Sequence, residues 1–323
     1  MRSGAAADHR GYFHETVFYG SDDEFLGTVV PFLREGLEAG EPTFAALSET
    51  NEKLVRAATA DMPGIAFLPG AIHARPASAI KEYRELLAGQ VAAGATQIRI
   101  VGDVPHPGLG MPWDWWARYE AAANVAYADF PAWGLCPYDT RITPDEVLAD
   151  VERTHPRVAT PDGQHLDNNR YEEPASFLRR AFTRNELVEP APPRIELLDP
   201  SPAAARHAVL DAAAVARLGR GDVDGMVVAV SEAVTNAITH GRPPVHVRVW
   251  AAAARMVVTV TDRGDGPQDP FAGLLPAPDR PFGGLGLWLA HQLCSHVALG
   301  TGPDGFTVRL VAGDPGTPPA WSG

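Results

Sequence analysis

Between residues 11 and 155 short apolar runs alternate with amphipathic stretches, and this alternation restricts the fold more than any other feature of the chain. ETVFYG reads as a strand, and SDDEFLGTVVPFLREGLEAG as a helix opened by Ser21 and closed by Gly40. PTFAALS is a strand and ETNEKLVRAATA a helix, while GIAFLPG and TQIRIVGD are strands on either side of a helix around ASAIKEYRELLAGQVAAG. WDWWARYEAAANVAYADF reads as a helix, AWGLCPY as a strand and TPDEVLADVERT as a last helix. Apolar strands joined by helices predict a mainly parallel sheet covered on both faces. Ligands of such sheets bind at the carboxyl ends of the strands, where this chain places Tyr19, Ser48, Gly102, Asp103, Tyr138 and Asp139.

From about His155 to Arg194 the texture changes. HPRVATPDGQHLDNNRYEEP has little periodicity, and EPAPPR reads as a stiff extended spacer. Beyond it RIELLD is a short strand, SPAAARHAVLDAAAVARLG a helix with Ser201 as N-cap, and VDGMVVAVSEAVTNAITHG a helix ending at Gly241. PVHVRVWAA and ARMVVTVTD alternate with period two and predict a hairpin. A long aperiodic loop, DRGDGPQDPFAGLLPAPDRPFGG, precedes a helix LGLWLAHQLCSHV, and GFTVRLVAG closes the sheet. The order predicts an α/β sandwich with helices on one face. The expected division is a first domain over 1–160, a linker over 161–193, a second domain over 194–313 and a tail over 314–323.

The formal charge of −13 over 323 residues argues against a general nucleic-acid binder, which needs a basic face. The only lysines are Lys53 and Lys81, so no GxxxxGK[ST] phosphate loop exists. Cys136 and Cys294 make neither a disulfide framework nor a zinc-binding spacing. MRSGAAADHRGYFHE lacks the apolar centre of a signal peptide, and no apolar run reaches membrane-spanning length. A cytoplasmic, soluble protein is the expectation.

Three short segments carry chemistry. In SEAVTNAITHG, residues 231–241, Glu232, Asn236 and His240 recur every fourth position and fall on one line of a helix. Ala233, Val234, Ala237 and Ile238 are expected on the packed side. Taken alone, this is the wet face of an amphipathic helix. In VTVTDRGDG a strand ends on Asp262, followed by Gly264 and Gly266. A carboxylate at a strand end accepts specific hydrogen bonds, and glycines admit a flat ligand close to the backbone. In FGGLGLWLA, Gly283, Gly284 and Gly286 lead into a helix whose free N–H groups suit phosphate. The aperiodic stretch between the last two has the length of a binding loop or lid.

ExxxN on a helix, a hairpin, DxGxG, a lid and GxG entering a helix, in that order, resemble the nucleotide site of the GHKL ATPase superfamily over about residues 190–313. The resemblance implies a GHKL (Bergerat) α/β sandwich that binds ATP with Mg²⁺. It casts Asn236 as the Mg²⁺ ligand, Asp262 as the reader of the adenine amine and Gly264 and Gly266 as the walls of the base pocket. Gly284 and Gly286, with Leu287, would hold phosphates. Glu232 would be the general base, and Arg280 in the lid, ahead of Arg263, the cation that meets the γ-phosphate. EAVTNAITHG is most similar to the anti-sigma-factor serine/threonine kinase branch. That branch implies a sigma factor and an anti-sigma-factor antagonist, phosphorylated on Ser or Thr, as partners, together with a homodimer. A non-catalytic ATP-binding switch and a sensor histidine-kinase-like protein are the alternatives. The latter needs a phosphoacceptor histidine on a dimerising helix pair, and none of His155, His165 or His207 lies in one.

HETVFYGSDDEF, VPFLREGLEAGEPTF, WWARYEAAAN and GLCPYD resemble the MEDS sensory domain over roughly residues 10–155. The resemblance implies a RecA-like α/β fold without a working phosphate loop and a small-molecule ligand. His14 and Cys136 match the family, Tyr138 and Asp139 are candidate pocket residues, and Trp113, Trp115 and Trp116 are expected to be packing.

Overall fold

In the computed structural model strand β1, Phe13–Tyr19, is buried along nearly its whole length, as the interior strand of a sheet covered on both sides must be. The structure describes residues 2–70, 75–109, 111–179, 189–275 and 285–313. Two units, Met1–Phe177 and Leu178–Gly323, each enclose their own sheet.

The first unit runs from β1 through α1 (Asp22–Glu38), β2 (Thr43–Ala46), α2 (Glu49–Ala58), β3 (Ala66–Phe67) and α3 (Pro76–Ala92) to β4 (Ile98–Gly102). It continues through α4 (Trp113–Ala126), β5 (Ala132–Asp139), α5 (Asp145–Thr154), β6 (Arg157–Ala159) and β7 (His165–Asp167), and α6 (Pro174–Leu178) follows. Its seven strands lie in the order β3-β2-β4-β5-β1-β6-β7, parallel throughout except at the last pair. The expected parallel α/β sheet is present. The pair β6–β7 lies in the stretch that the sequence left without periodicity, because strands of three residues have no period to read.

Alternation along β1 and β5 divides the side chains between two faces. Phe13, Val17, Trp133 and Leu135 meet Phe25, Val29, Phe32 and Leu33 of α1 on one side. His14 and Tyr138 point the other way, toward Asn124 and Glu120 of α4. Trp113, Trp115 and Trp116 are all buried, as packing residues.

The turn from β1 into α1 is where a parallel sheet would hold phosphate. Here Gly20 N–H donates to Glu24 Oε2 at 2.7 Å, Glu24 N–H donates to Ser21 Oγ at 3.2 Å, and Asp22 and Asp23 fill the rest of the first turn. Carboxylates occupy the positive end of the helix, so an anionic ligand finds no vacancy there. The geometry accords with the missing phosphate loop.

Strand β7 is tied to the sheet by His165, whose Nδ1 lies 2.8 Å from Oε2 of the buried Glu15. The hydrogen bond to Glu15, and then its charge, raise the imidazole pKa above its ordinary 6.5. A raised folded-state pKa stabilises below the unfolded value, and the contribution fades as pH rises through the folded value. His165→Gln is therefore expected to lose stability below the ordinary value of 6.5 and to approach wild type as pH rises through the folded value, read from unfolding midpoints across the titration. An equal loss at every pH would contradict the pairing.

The second unit contains β8 (Ile195–Leu198), α7 (Pro202–Ala216), α8 (Arg220–His240), β9 (His246–Ala252), β10 (Arg255–Asp262), α9 (Leu285–Leu293), β11 (His296–Gly302) and β12 (Gly305–Gly313). Its sheet is antiparallel in the order β11-β12-β10-β9-β8. Val247, Val249, Val258, Val260, Val308 and Leu310 form the sheet side of a core closed by Val209, Ala212, Met226, Val230 and Val234 of α7 and α8. Helices on one face of an antiparallel sheet are the sandwich expected. Two details differ. The last helix ends at Leu293 instead of reaching Val297, and His296–Gly302 forms an edge strand, so β12 lies inside the sheet and not at its border. Ile238, expected on the packed side of α8, is 56% exposed, because the last turn of the helix carries it past the core.

The EPAPPR spacer is held against the outer face of this sheet. Glu189 forms a bidentate pair with Arg309 of β12, both contacts at 2.9 Å, and Trp250 of β9 donates Nε1–H to the Ala191 carbonyl at 2.8 Å.

Candidate functional site

Along the last turns of α8 the second unit gathers residues from three distant places in the chain. Glu232 and Asn236 are half-buried, and Ala233, Val234 and Ala237 on the other side enter the core. The entrance of α9 lies on the polar side: a Cβ built on Gly286 would stand 2.6 Å from Glu232 Oε2, 3.2 Å from Glu232 Cβ and 3.4 Å from Asn236 Nδ2. A glycine-opened helix start is thus seated directly on the ExxxN face. Neither the Glu232 carboxylate nor the Asn236 amide has a hydrogen-bond partner among the described residues.

Asp262 ends β10 as expected and is 5% exposed. Its Oδ1 accepts from Gly264 N–H at 2.6 Å and from Arg242 N–H at 3.1 Å. Arg263 N–H donates to the Arg242 carbonyl at 2.8 Å, so the turn after β10 is joined to the segment leaving α8. Two backbone donors fix the carboxylate plane, and Oδ2 has no protein partner among the described residues. A buried acceptor left open in this way suits a single ligand donor. Gly266, at φ +72, lies against the Phe306 ring, which a Cβ would approach to 2.3 Å.

Gly241 ends α8 in ordinary extended backbone, with φ −86 and ψ −160. Its need for glycine is one of space: a Cβ would stand 2.3 Å from Asp262 Oδ1 and 2.6 Å from the Ala237 carbonyl. Gly241→Ala is expected to destabilise the second unit by about 1–3 kcal/mol through overpacking. Gly221→Ala on the same helix, where a Cβ would meet nothing within 4 Å, should be neutral or mildly stabilising. Urea denaturation of the two variants checks the contrast, and equal midpoints would refute it.

The structure therefore brings Glu232, Asn236 and Gly286 together, and places Asp262 and Gly264 at the end of the same helix, with Gly266 against Phe306 of β12. Leu287 is half-buried against the core and His240 is exposed. Arg263 is exposed on the DxGxG turn. Arg280 and Gly284 lie outside the described residues.

In the first unit His14 and Cys136 are brought into contact, Nε2 to Sγ at 3.5 Å, on the face covered by α4 and α5. Two residues without a sequence signal join them: Glu120 of α4 and His155 just after α5, both fully buried. Burial lowers the His14 pKa to about 4 and pushes His155 well below its usual range, and it raises Glu120 to about 7 and the Cys136 thiol well above its usual range. Tyr138 joins through its hydroxyl, which donates to Glu120 Oε1 at 2.5 Å. Asp139 stays apart, paired with Arg141 at 2.7 Å. Cys136 also forms part of the wall of a cavity of about 30 Å³ shared with Tyr12, Tyr83, Tyr119 and Tyr127, which is room for two or three waters at roughly 10–15 Å³ each.

Residues 13–156 match the family described as the methanogen/methylotroph, DcmR sensory domain (MEDS), and residues 198–312 match the histidine kinase-like ATPase domain. A transcriptional repressor, DcmR of Methylorubrum extorquens, is 26% identical over 163 residues, which cover 47% of this chain and 61% of the relative. The chain thus spans about three-fifths of that protein's length. Among the described residues no helix is long and apolar enough to cross a membrane.

Proposed function

We propose, from the premise that one chain joins a DcmR-type sensory domain to a histidine kinase-like ATPase domain, that it is a cytoplasmic signalling regulator acting as an ATP-dependent anti-sigma-factor serine/threonine kinase. Its partners are a sigma factor and an anti-sigma-factor antagonist, a small molecule is the signal for the sensory domain, and the ATPase domains pair as a homodimer. The observation that carries the ATP site is the seating of Gly286 on Glu232 and Asn236, two polar side chains with no partner among the described residues.

The residues fit Mg²⁺ and ATP. Asn236 offers an amide oxygen, a hard ligand suited to Mg²⁺. The open oxygen of Asp262 accepts an exocyclic amine, while Gly264 and Gly266 keep side chains away from the base. The start of α9 at Gly286 presents N–H groups toward phosphate. Glu232, one turn from Asn236, takes the proton of the attacking hydroxyl. Bound ATP supplies the transferable phosphoryl group, and the protein positions the acceptor and neutralises charge. Arg280 is assigned the cationic role in this reading.

The test is transfer of labelled γ-phosphate from Mg²⁺-ATP to a serine or threonine of candidate antagonists. Transfer by wild type and its loss in Glu232→Ala are expected; undiminished transfer by Glu232→Ala would remove the assigned base. A second reading, a non-catalytic switch in which ATP shapes a sigma-binding surface, is favoured by one feature. Among the described residues no Arg or Lys side chain pairs with Glu232 or Asn236. In that case sigma binding responds to ATP, is lost in Asn236→Ala and Asp262→Ala, and no phosphate moves.

A further inference from the structure

We propose that His14, Glu120, Cys136 and His155 bind one divalent transition-metal ion of the zinc class through two imidazole Nε2 atoms, a thiolate and a carboxylate. One ligand atom from each residue lies within 4.8 Å of all the others, and all four residues are buried. The separations are 3.5 Å for His14 Nε2 to Cys136 Sγ and 3.6 Å from Glu120 Oε2 to each of His14 Nε2 and His155 Nε2. Tetrahedral zinc, with bonds of about 2.0–2.1 Å to nitrogen and about 2.3 Å to sulfur, sets its ligand atoms about 3.3–3.6 Å apart. Three of the six separations already have that spacing, and the remaining ones lie within 4.8 Å.

The surrounding hydrogen bonds aim the donors inward. Asn124 Nδ2 donates to the Thr154 carbonyl at 2.8 Å and the Glu120 carbonyl at 3.1 Å, so its Oδ1, 3.0 Å from His14 Nδ1, accepts the ring proton. His155 Nδ1 lies 2.8 Å from the Val151 carbonyl, which can only accept. Both imidazoles therefore carry their lone pair on Nε2, facing the cluster. Tyr138 occupies Glu120 Oε1, while Glu120 Oε2 and His155 Nε2, both wholly buried, have no hydrogen-bond partner. Orphaned acceptors converging in a protein interior are costly unless something fills the space between them.

Charge agrees with the geometry. A thiolate and a carboxylate cancel the two positive charges of the ion, and neutral imidazoles complete the shell, so the buried complex is neutral overall. Binding releases the thiol proton to solvent. The mixed sulfur, nitrogen and oxygen set suits zinc or cobalt better than calcium or magnesium, which take oxygen ligands. Because Cys136 also borders the tyrosine-lined cavity, a small molecule entering there would meet the metal's sulfur ligand.

The test uses untagged full-length protein, stripped with chelator and titrated with Co²⁺ and, separately, Zn²⁺. One metal per chain is expected, with intense tetrahedral d–d bands and a near-ultraviolet thiolate-to-cobalt band. The chain has only two cysteines. Cys136→Ser should therefore abolish the thiolate band and Cys294→Ser should leave it. Asn124→Ala, which frees His14 without removing a ligand, should weaken affinity about 10–100-fold. Absence of the thiolate band in wild type, its survival in Cys136→Ser or its loss in Cys294→Ser would each overturn the proposal. Should a variant fail to fold, absence of the band in wild type still overturns the proposal.

Discussion

Asn236→Ala is expected to weaken Mg²⁺-ATP binding on the order of 100-fold or more, about 3 kcal/mol, while Glu232→Gln leaves binding near wild type. The two side chains are one helical turn apart on α8 and share the entrance of α9, so a general disturbance of the cleft would affect both alike. Only their assigned chemistry separates them. Asn236 contributes an oxygen to the metal, felt in the ground state, whereas Glu232 acts on a proton in the transition state. Glu232→Gln should accordingly lower phosphoryl transfer by about 10²–10⁴-fold at unchanged affinity. Calorimetry with and without Mg²⁺ measures the first effect and single-turnover transfer the second. Equal Mg²⁺-dependent affinity in Asn236→Ala and wild type would remove Asn236 from the metal site.

The largest expected loss of stability lies in the first unit. Arg99, on β4, is fully buried; its Nε donates to Glu41 Oε2 at 2.8 Å, Nη1 to the Phe32 carbonyl at 2.8 Å and Nη2 to Ser3 Oγ at 2.8 Å. Its guanidinium also sits 4.5 Å from the centre of the Trp133 ring. Glu41 is 6% exposed and accepts from Gln97 as well. Glu41→Ala leaves the buried cation only the exposed Glu35 carboxylate, 3.4 Å from Nη1, as counter-charge and should cost about 3–5 kcal/mol. Replacing both, as Glu41→Leu with Arg99→Met, removes the charge that makes the loss severe and should recover much of it. Denaturation followed by tryptophan fluorescence compares the variants, Trp133 lying beside the altered pair. A double variant no better than Glu41→Ala would mean that hydrogen bonds and ring packing, and not the unpaired charge, set the cost.

Periodicity carried most of this fold. The alternation that predicted a parallel sheet depends on local apolar spacing, and so does the stripe that set Glu232 and Asn236 opposite Ala233, Val234 and Ala237. Strand β11 was hidden because HVALGTG is short of apolar alternation and follows an apolar helix; what makes it a strand is pairing with β12. Gly241 was legible as a helix end, but the reason for glycine there is the carboxylate of Asp262, twenty-one positions on and invisible to local pattern. The ring of His14, Glu120, Cys136 and His155 was still further out of reach. Its members come from β1, α4, β5 and the segment after α5, and only the register between β1 and β5 makes neighbours of the first and third. His155 stood at the point where the pattern gave out, with nothing nearby to mark it.

The acidic opening of α1 bears on how nucleotide binding should be counted. With Asp22, Asp23 and Glu24 crowding the spot after β1, and Arg141 already committed to Asp22 and Asp139, the opening of α1 offers a triphosphate no seat. Saturating the whole chain should consume a single equivalent of ATP, and each heat signal then reports on the kinase-like half alone.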